Sequence, residues 1–202
     1  MGADAGAPAS GEARRAGVPM RRSRRVLAVL TIGVLVACRS RPAQPDLAAL
    51  VRDLQSSDTT VSGRANLALI GMGEPAVPAI AELLGSEDPR IRRTAAITLW
   101  GMGRRARTAA PALAATLGDA DPSIRVAAAM ALENMGPDAK AALPDLVRGL
   151  KDQDTEVRQW AAKALGAIGP EAVEAVPALV QAAKFDPVRP AAEEAIQKIR
   201  GP

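Results

Sequence analysis

Apolar residues follow two different rhythms along this chain. Between residues 26 and 37 the run Val-Leu-Ala-Val-Leu-Thr-Ile-Gly-Val-Leu-Val-Ala is almost unbroken, and it ends at Cys38. From residue 46 onward the apolar positions instead recur three and four residues apart, the spacing of one face of a helix. Counted from Asp121, offsets +3, +7, +10, +11 and +14 hold Ile124, Ala128, Ala131, Leu132 and Met135. At about 100° per residue these five share one side of a helix, a stripe that must be buried.

The helical pattern is itself periodic. Pro78, Pro111, Pro144 and Pro177 stand 33 residues apart, as do Asp88, Asp121 and Asp154, then Arg92, Arg125 and Arg158, then Gly103, Gly136 and Gly169. Asp58 and Gly73 keep the Asp-to-Gly distance of 15 and mark an earlier unit, whose outgoing loop is three residues shorter. Five units result, at about 46–75, 76–108, 109–141, 142–174 and 175–202, the last shortened by about two residues at its inner turn. Each reads as two helices. Helix A opens with proline in its first turn, where the missing N–H costs nothing. Helix B opens at the repeated aspartate, an N-cap, with Pro89 and Pro122 at the first helical position, and ends at the repeated glycine, suited to a left-handed cap. The repeated arginine is expected to tie successive units together with the aspartate. Neither helix can bury its stripe alone, so the units must stack into an all-α solenoid.

The segments Asp-Pro-x-Ile-Arg at 88–92 and 121–125, Asp154-x-x-Val157-Arg158, and the Ala-x-x-Leu-x-x-Met/Ile-Gly endings resemble the HEAT-repeat family, in the short form called the phycobilisome-lyase HEAT-like repeat. The likeness covers 46–202 and implies a right-handed, armadillo-type superhelix of about five hairpins. The first unit departs from the pattern with Ser62 where arginine is expected, and the fifth with Pro190 just inside its second helix. Deviant terminal units are what end-capping requires.

Opposite the core stripe, offsets +2, +5, +9, +12 and +13 should be polar if they face water. In HEAT-type solenoids they line the concave surface. Yet +9 holds Leu67, Ile97 and Met130, +12 holds Ile70 and Trp100, and Val126 stands at +5. In units four and five this face turns polar, with Gln159, Lys163, Glu194 and Gln197, while Trp160 at +6 reads as a packing residue. The pattern predicts an apolar strip in units one to three, centred on Trp100 and flanked by Arg90, Arg93 and the loop Arg104-Arg105-Ala106-Arg107. Exposed apolar strips mark interaction sites, and tryptophan is a frequent anchor of them. A protein or peptide with an acidic flank is the expected partner.

Composition narrows the chemistry. The chain has no histidine, no tyrosine and a single cysteine, which removes the commonest general base and any cysteine-cluster metal site. No catalytic constellation, cofactor or metal is expected. The formal charge of +4 divides unevenly: residues 1–45 hold eight arginines against Asp4 and Glu12, whereas residues 46–202 hold 18 basic against 20 acidic side chains. A slightly acidic repeat region does not suit nucleic acid.

The basic excess belongs to the apolar run. Residues 20–37, Met-Arg-Arg-Ser-Arg-Arg and then Val26 to Ala37, have the form of a secretory signal peptide, too short to span a bilayer. Leu35-Val36-Ala37-Cys38 resembles the lipobox of bacterial lipoproteins, which implies diacylglyceryl transfer to Cys38 and cleavage just before it. Residues 38–45 then form a linker, and 1–19 are either a disordered extension or a misassigned start. The expected protein is a lipid-anchored adaptor of the bacterial cell envelope, with the outer membrane favoured because Arg39 rather than Asp follows the cysteine. It would bind another envelope protein or peptide and is not expected to be an enzyme. The alternative is a phycobilin-lyase-like or other small-ligand-binding HEAT protein.

Overall fold

A computed structural model describes residues 46–201. The expected signal segment and Cys38 lie outside the described residues. Among the described residues ten α-helices form five hairpins: α1 (Leu47–Leu54) with α2 (Thr59–Met72), α3 (Val77–Glu82) with α4 (Pro89–Met102), α5 (Ala110–Thr116) with α6 (Pro122–Met135), α7 (Leu143–Gly149) with α8 (Thr155–Ile168), and α9 (Val176–Ala182) with α10 (Arg189–Arg200). Within each hairpin the short helix packs on the long one, and the long helices stack in chain order, α2 on α4, α4 on α6, α6 on α8 and α8 on α10. The α-solenoid of five hairpins is borne out.

The local signals act as their chemistry requires. The carboxylates of Asp58, Asp88, Asp121 and Asp154 accept from backbone N–H groups at the start of α2, α4, α6 and α8. Pro89 and Pro122 occupy the first helical position, and Pro78, Pro111, Pro144 and Pro177 lie in the first turn of their short helices. Pro190 also falls in the first turn of α10, so the residue that departs from the repeat pattern costs no helical hydrogen bond. The closing glycines differ from expectation in detail. Gly136 has φ 61° and ψ −132°, so φ is positive as predicted, but ψ lies in the mirror image of the extended region rather than in the left-handed helical well. The cause is the next segment of chain, which passes straight into a 3₁₀ helix, Gly136–Ala142, that sequence periodicity did not reveal. Equivalent segments span Gly103–Ala109 and Gly169–Ala175.

Alanine sets the spacing of the stack. Ala95, Ala96, Ala128, Ala129, Ala161 and Ala162 are fully buried on α4, α6 and α8. Such small side chains let neighbouring backbones approach closely. Between them sit Leu99, Leu132 and Leu165, and from the short helices Ile80, Leu113, Leu146 and Leu179, all buried. Every expected core residue of the third unit, from Ile124 to Met135, is buried. Trp160 is half-buried against this core, with Lys163 Nζ 4.0 Å above its ring.

Arginine ties the units through a partner the repeat pattern did not single out. Arg92 Nε donates to Asp119 Oδ2 at 2.7 Å and its Nη2 to Oδ1 at 3.0 Å, while Nη1 donates to the carbonyls of Ser86 and Glu87. Arg125 repeats this with Asp152, at 2.9 and 2.7 Å, and with the carbonyls of Asp119 and Ala120. Each guanidinium therefore fixes its own inner turn and clamps the carboxylate of the next unit. The capping aspartate is not the partner; the aspartate two residues before it is. That carboxylate also accepts from the capping residue's N–H, Asp119 from Asp121 and Asp152 from Asp154. In the first unit Ser62 replaces the arginine and Ser86 stands where the receiving aspartate would be, so both halves of that rung are missing together.

Two outcomes are expected for stability. Gly136→Ala places a Cβ on a positive-φ residue and should cost about 1–3 kcal/mol. Gly63→Ala, in α2 with open space around the added methyl, should instead stabilise by about 0.5–1 kcal/mol; urea denaturation of both variants checks the pair. The second outcome concerns acid. The Arg92 clamp holds the Asp119 carboxyl below its usual range, and at Asp152 the Arg125 clamp and the Asp154 N–H outweigh the upward push of burial. Hydrogen bonds from backbone N–H groups and side chains lower Asp58, Asp88 and Asp121. A carboxylate whose folded pKa is depressed contributes stability above its unfolded pKa and loses it as pH falls through the folded one. Stability should therefore decline below about pH 4. Asp119→Asn should be less stable at pH 7 and lose less between pH 5 and 3 in the same titration.

Candidate interaction surface

On α4 the residues Arg90, Arg93, Ile97 and Trp100 succeed one another at spacings of three, four and three, which puts them on a single stripe. Trp100 is 42% exposed and Ile97 38%, and Leu67 on the neighbouring α2 is 71% exposed. Ile70 is half-buried, because its side chain lies over the bare backbone of Gly101. A Cβ at Gly101 would come within 2.6 Å of Ile70 Cδ1, so a larger residue there would push the Ile70 side chain aside. Val126 and Met130 on α6 are half-buried as well. The apolar strip is thus displayed most fully in units one and two and recedes in unit three.

The strip rests on a fixed scaffold. The Trp100 carbonyl, in the last turn of α4, accepts from the Gly103 N–H and from Asn134 Nδ2 at 2.8 Å, which links the end of α4 to α6. In the polar half of the same face, Lys163, Glu194 and Gln197 are exposed, Glu194 pairs with Lys198 at 2.7 Å, and the half-buried Gln159 donates to the Pro187 carbonyl.

The basic rim is thinner than the sequence suggests. Arg90 pairs with Asp88 at 2.6 Å, Arg104 with Asp138 at 2.9 Å and Arg107 with Glu74 at 2.6 Å. The loop arginines join connector to connector along the edge of the stack, as Lys140 and Glu171 do one unit on. Arg105 lies beside Gly73. Arg93 makes no ion pair among the described residues; it lies near enough to Asp121 to add to the Ser123 hydrogen bonds that lower that carboxyl. Of the arginines on the α4 stripe, it alone keeps its charge available beside Ile97 and Trp100.

The remaining sequence-selected residues are structural. Asp88, Asp121 and Asp154 are caps, Arg92 and Arg125 are clamps, and Arg158 has the same inner-turn bonds with no carboxylate partner among the described residues. Sequence reasoning missed Asp119 and Asp152, although Asp-x-Asp in "GDADPS" and "LKDQDTE" marks both at the 33-residue period. It also missed the exposed Val173, Val180 and Phe185, which belong to no repeated position of helix B. Among the described residues no group of three or more His, Cys, Asp or Glu side chains is placed to hold a metal, and no helix is long and apolar enough to cross a membrane.

Comparison with known proteins agrees with this architecture. A family model described as HEAT repeats matches residues 45–120 and 110–200. Among solved structures, the complex of CpcE and CpcF of phycocyanin lyase from Nostoc sp. PCC7120 is similar at 27% identity and a TM-score of 0.58, over 80% of this chain and 67% of that one. An engineered protein aligns at 26% identity and a TM-score of 0.54, over 76% of this chain and 79% of its own. A designed armadillo repeat protein in complex with the peptide (KR)4 aligns at 18% identity and a TM-score of 0.58, over 89% and 95% of the two chains; at that identity it shows the fold alone. No curated protein sequence matches the chain.

Proposed function

Because the chain belongs to the HEAT-repeat family, we propose that it is a non-enzymatic adaptor that binds a protein or peptide on the long-helix face of units one and two. One observation carries the reading: Leu67, Ile97 and Trp100 are exposed together on a face that a solvated helix would make polar. Helices already folded in the stack display them with little backbone ordering on this side, and Trp100 has the size and amphipathic ring of an interface anchor. Arg93 favours a partner with a carboxylate next to its apolar residues. We further propose that Cys38 is lipidated and holds the adaptor in the bacterial cell envelope, the outer membrane being favoured. The support is the basic, short apolar segment ending in Leu35-Val36-Ala37-Cys38. Two acyl chains give stable anchoring where one gives only marginal binding.

Likeness to one half of a two-protein lyase complex favours a second reading, a small-ligand-binding or lyase-like role that also works through a protein partner. The two readings separate on what co-purifies: a stoichiometric protein, or a bound chromophore with visible absorbance.

With the partner isolated from detergent-solubilised envelope, Trp100→Ala and Ile97→Ala should each weaken its binding by at least about tenfold, while Lys163→Ala on the polar half should leave it unchanged. Equal affinity across all three, measured by surface plasmon resonance, would remove the strip from the interface. Cys38→Ser should move the protein from the membrane to the soluble fraction on ultracentrifugation; a variant that stays wholly with the membrane would refute lipidation as the cause of anchoring.

A further inference from the structure

The arginine ladder stops one rung early, and it stops at a cavity. Arg158 keeps the inner-turn half of the pattern: Nη1 donates to the carbonyls of Asp152 at 2.8 Å and Gln153 at 3.0 Å. The outer edge of the guanidinium differs. In Arg92 and Arg125, Nε and Nη2 together grip both oxygens of an aspartate from the next unit. In Arg158, Nη2 donates to Thr155 Oγ1 at 2.8 Å and Nε has no partner among the described residues. Thirty-three residues after Asp152 stands Phe185, in the turn that the last unit shortens. The turn's own carboxylate, Asp186, is exposed and paired with Arg189 at 2.7 Å.

Arg158, at the start of α8, lines a cavity of about 790 Å³ between the α7–α8 turn and α9 with the α9–α10 turn, a volume suited to a small organic ligand. Lys151 and Lys184 join it on the wall, against one carboxylate, Asp152, whose oxygens Arg125 already holds. Leu150, Ala182 and Val188, all buried, with the exposed Phe185, supply the apolar wall. Three cations sit beside an apolar surface, and one is a planar fork whose Nε is unpartnered among the described residues and whose Nη2 is held by the Thr155 hydroxyl alone. The complement is a carboxylate carried on an apolar body, since a carboxylate fits the fork with two parallel hydrogen bonds.

We infer that the cavity at Arg158 is a binding site for an apolar carboxylate, whose head group completes the rung that the last unit lacks. The site lies between units four and five, so it stands or falls independently of the strip around Trp100. A free alkyl carboxylate and the C-terminal carboxylate of a peptide offer the same chemistry, and the probes distinguish them.

The test is isothermal titration of the full chain with octanoate, octanol and acetate, and with a short peptide ending in leucine beside its C-terminal amide. Octanoate should bind at least tenfold more tightly than octanol or acetate. Peptide acid binding in preference to amide, at or above the octanoate affinity, would identify a chain terminus as the source; octanoate alone would identify a small amphiphile. Arg158→Met should weaken binding at least tenfold. Arg158→Lys, which keeps the charge but loses the fork, should weaken it several-fold with an unchanged circular dichroism spectrum, and Asp186→Asn should leave it intact. Equal binding of octanoate and octanol, or octanoate affinity untouched by both Arg158 variants, would overturn the inference.

Discussion

Stacking of long helices across paired alanines is the constraint on which everything else here depends. A hairpin of a 7-residue and a 14-residue helix has an apolar stripe it cannot cover by itself. Only when α4, α6 and α8 approach across Ala95 and Ala96, Ala128 and Ala129, Ala161 and Ala162 do the leucines between them leave water. A larger residue at those positions would force the two backbones apart and loosen the core at that interface. The near absence of aromatics reflects the same demand for close approach.

Close stacking leaves registry unsettled, because neighbouring alanine surfaces can slide. The Arg92–Asp119 and Arg125–Asp152 clamps supply it, each reaching from the turn of one unit to the turn of the next at partly buried positions. Paired guanidinium and carboxylate groups suit this task better than further apolar contact, since the two parallel bonds form at one offset only. At the opposite edge the connector pairs Glu74–Arg107, Arg104–Asp138 and Lys140–Glu171 are exposed and add little. Where the ladder ends, its chemistry is left over. The first rung is absent in both halves, while the last keeps its arginine and loses its aspartate, so the two ends of the stack are not equivalent.

Much of the fold was legible residue by residue. Aspartate caps, first-turn prolines and closing glycines act within a few residues of themselves, and their effects do not depend on the rest of the chain. The exposed strip was legible too, since a face with Leu67, Ile97 and Trp100 contradicts the polarity of its surroundings. What escaped was pairwise. Asp119 lies 27 residues from the arginine it binds, and nothing in either helix says that the two turns meet. The basic rim was misjudged for the same reason: Arg104 and Arg107 read as free charges until their partners, 34 and 33 residues away, are placed beside them.

The sequence by itself therefore determined the number of units, the ends of their long helices and which face of each helix is apolar, because these depend on local backbone chemistry and helical period. The tertiary structure alone decided how far the strip is covered in unit three, which aspartate Arg92 and Arg125 each hold, and that Arg158 lines a cavity with no carboxylate partner among the described residues. Those are properties of two units in contact, and no single unit contains them.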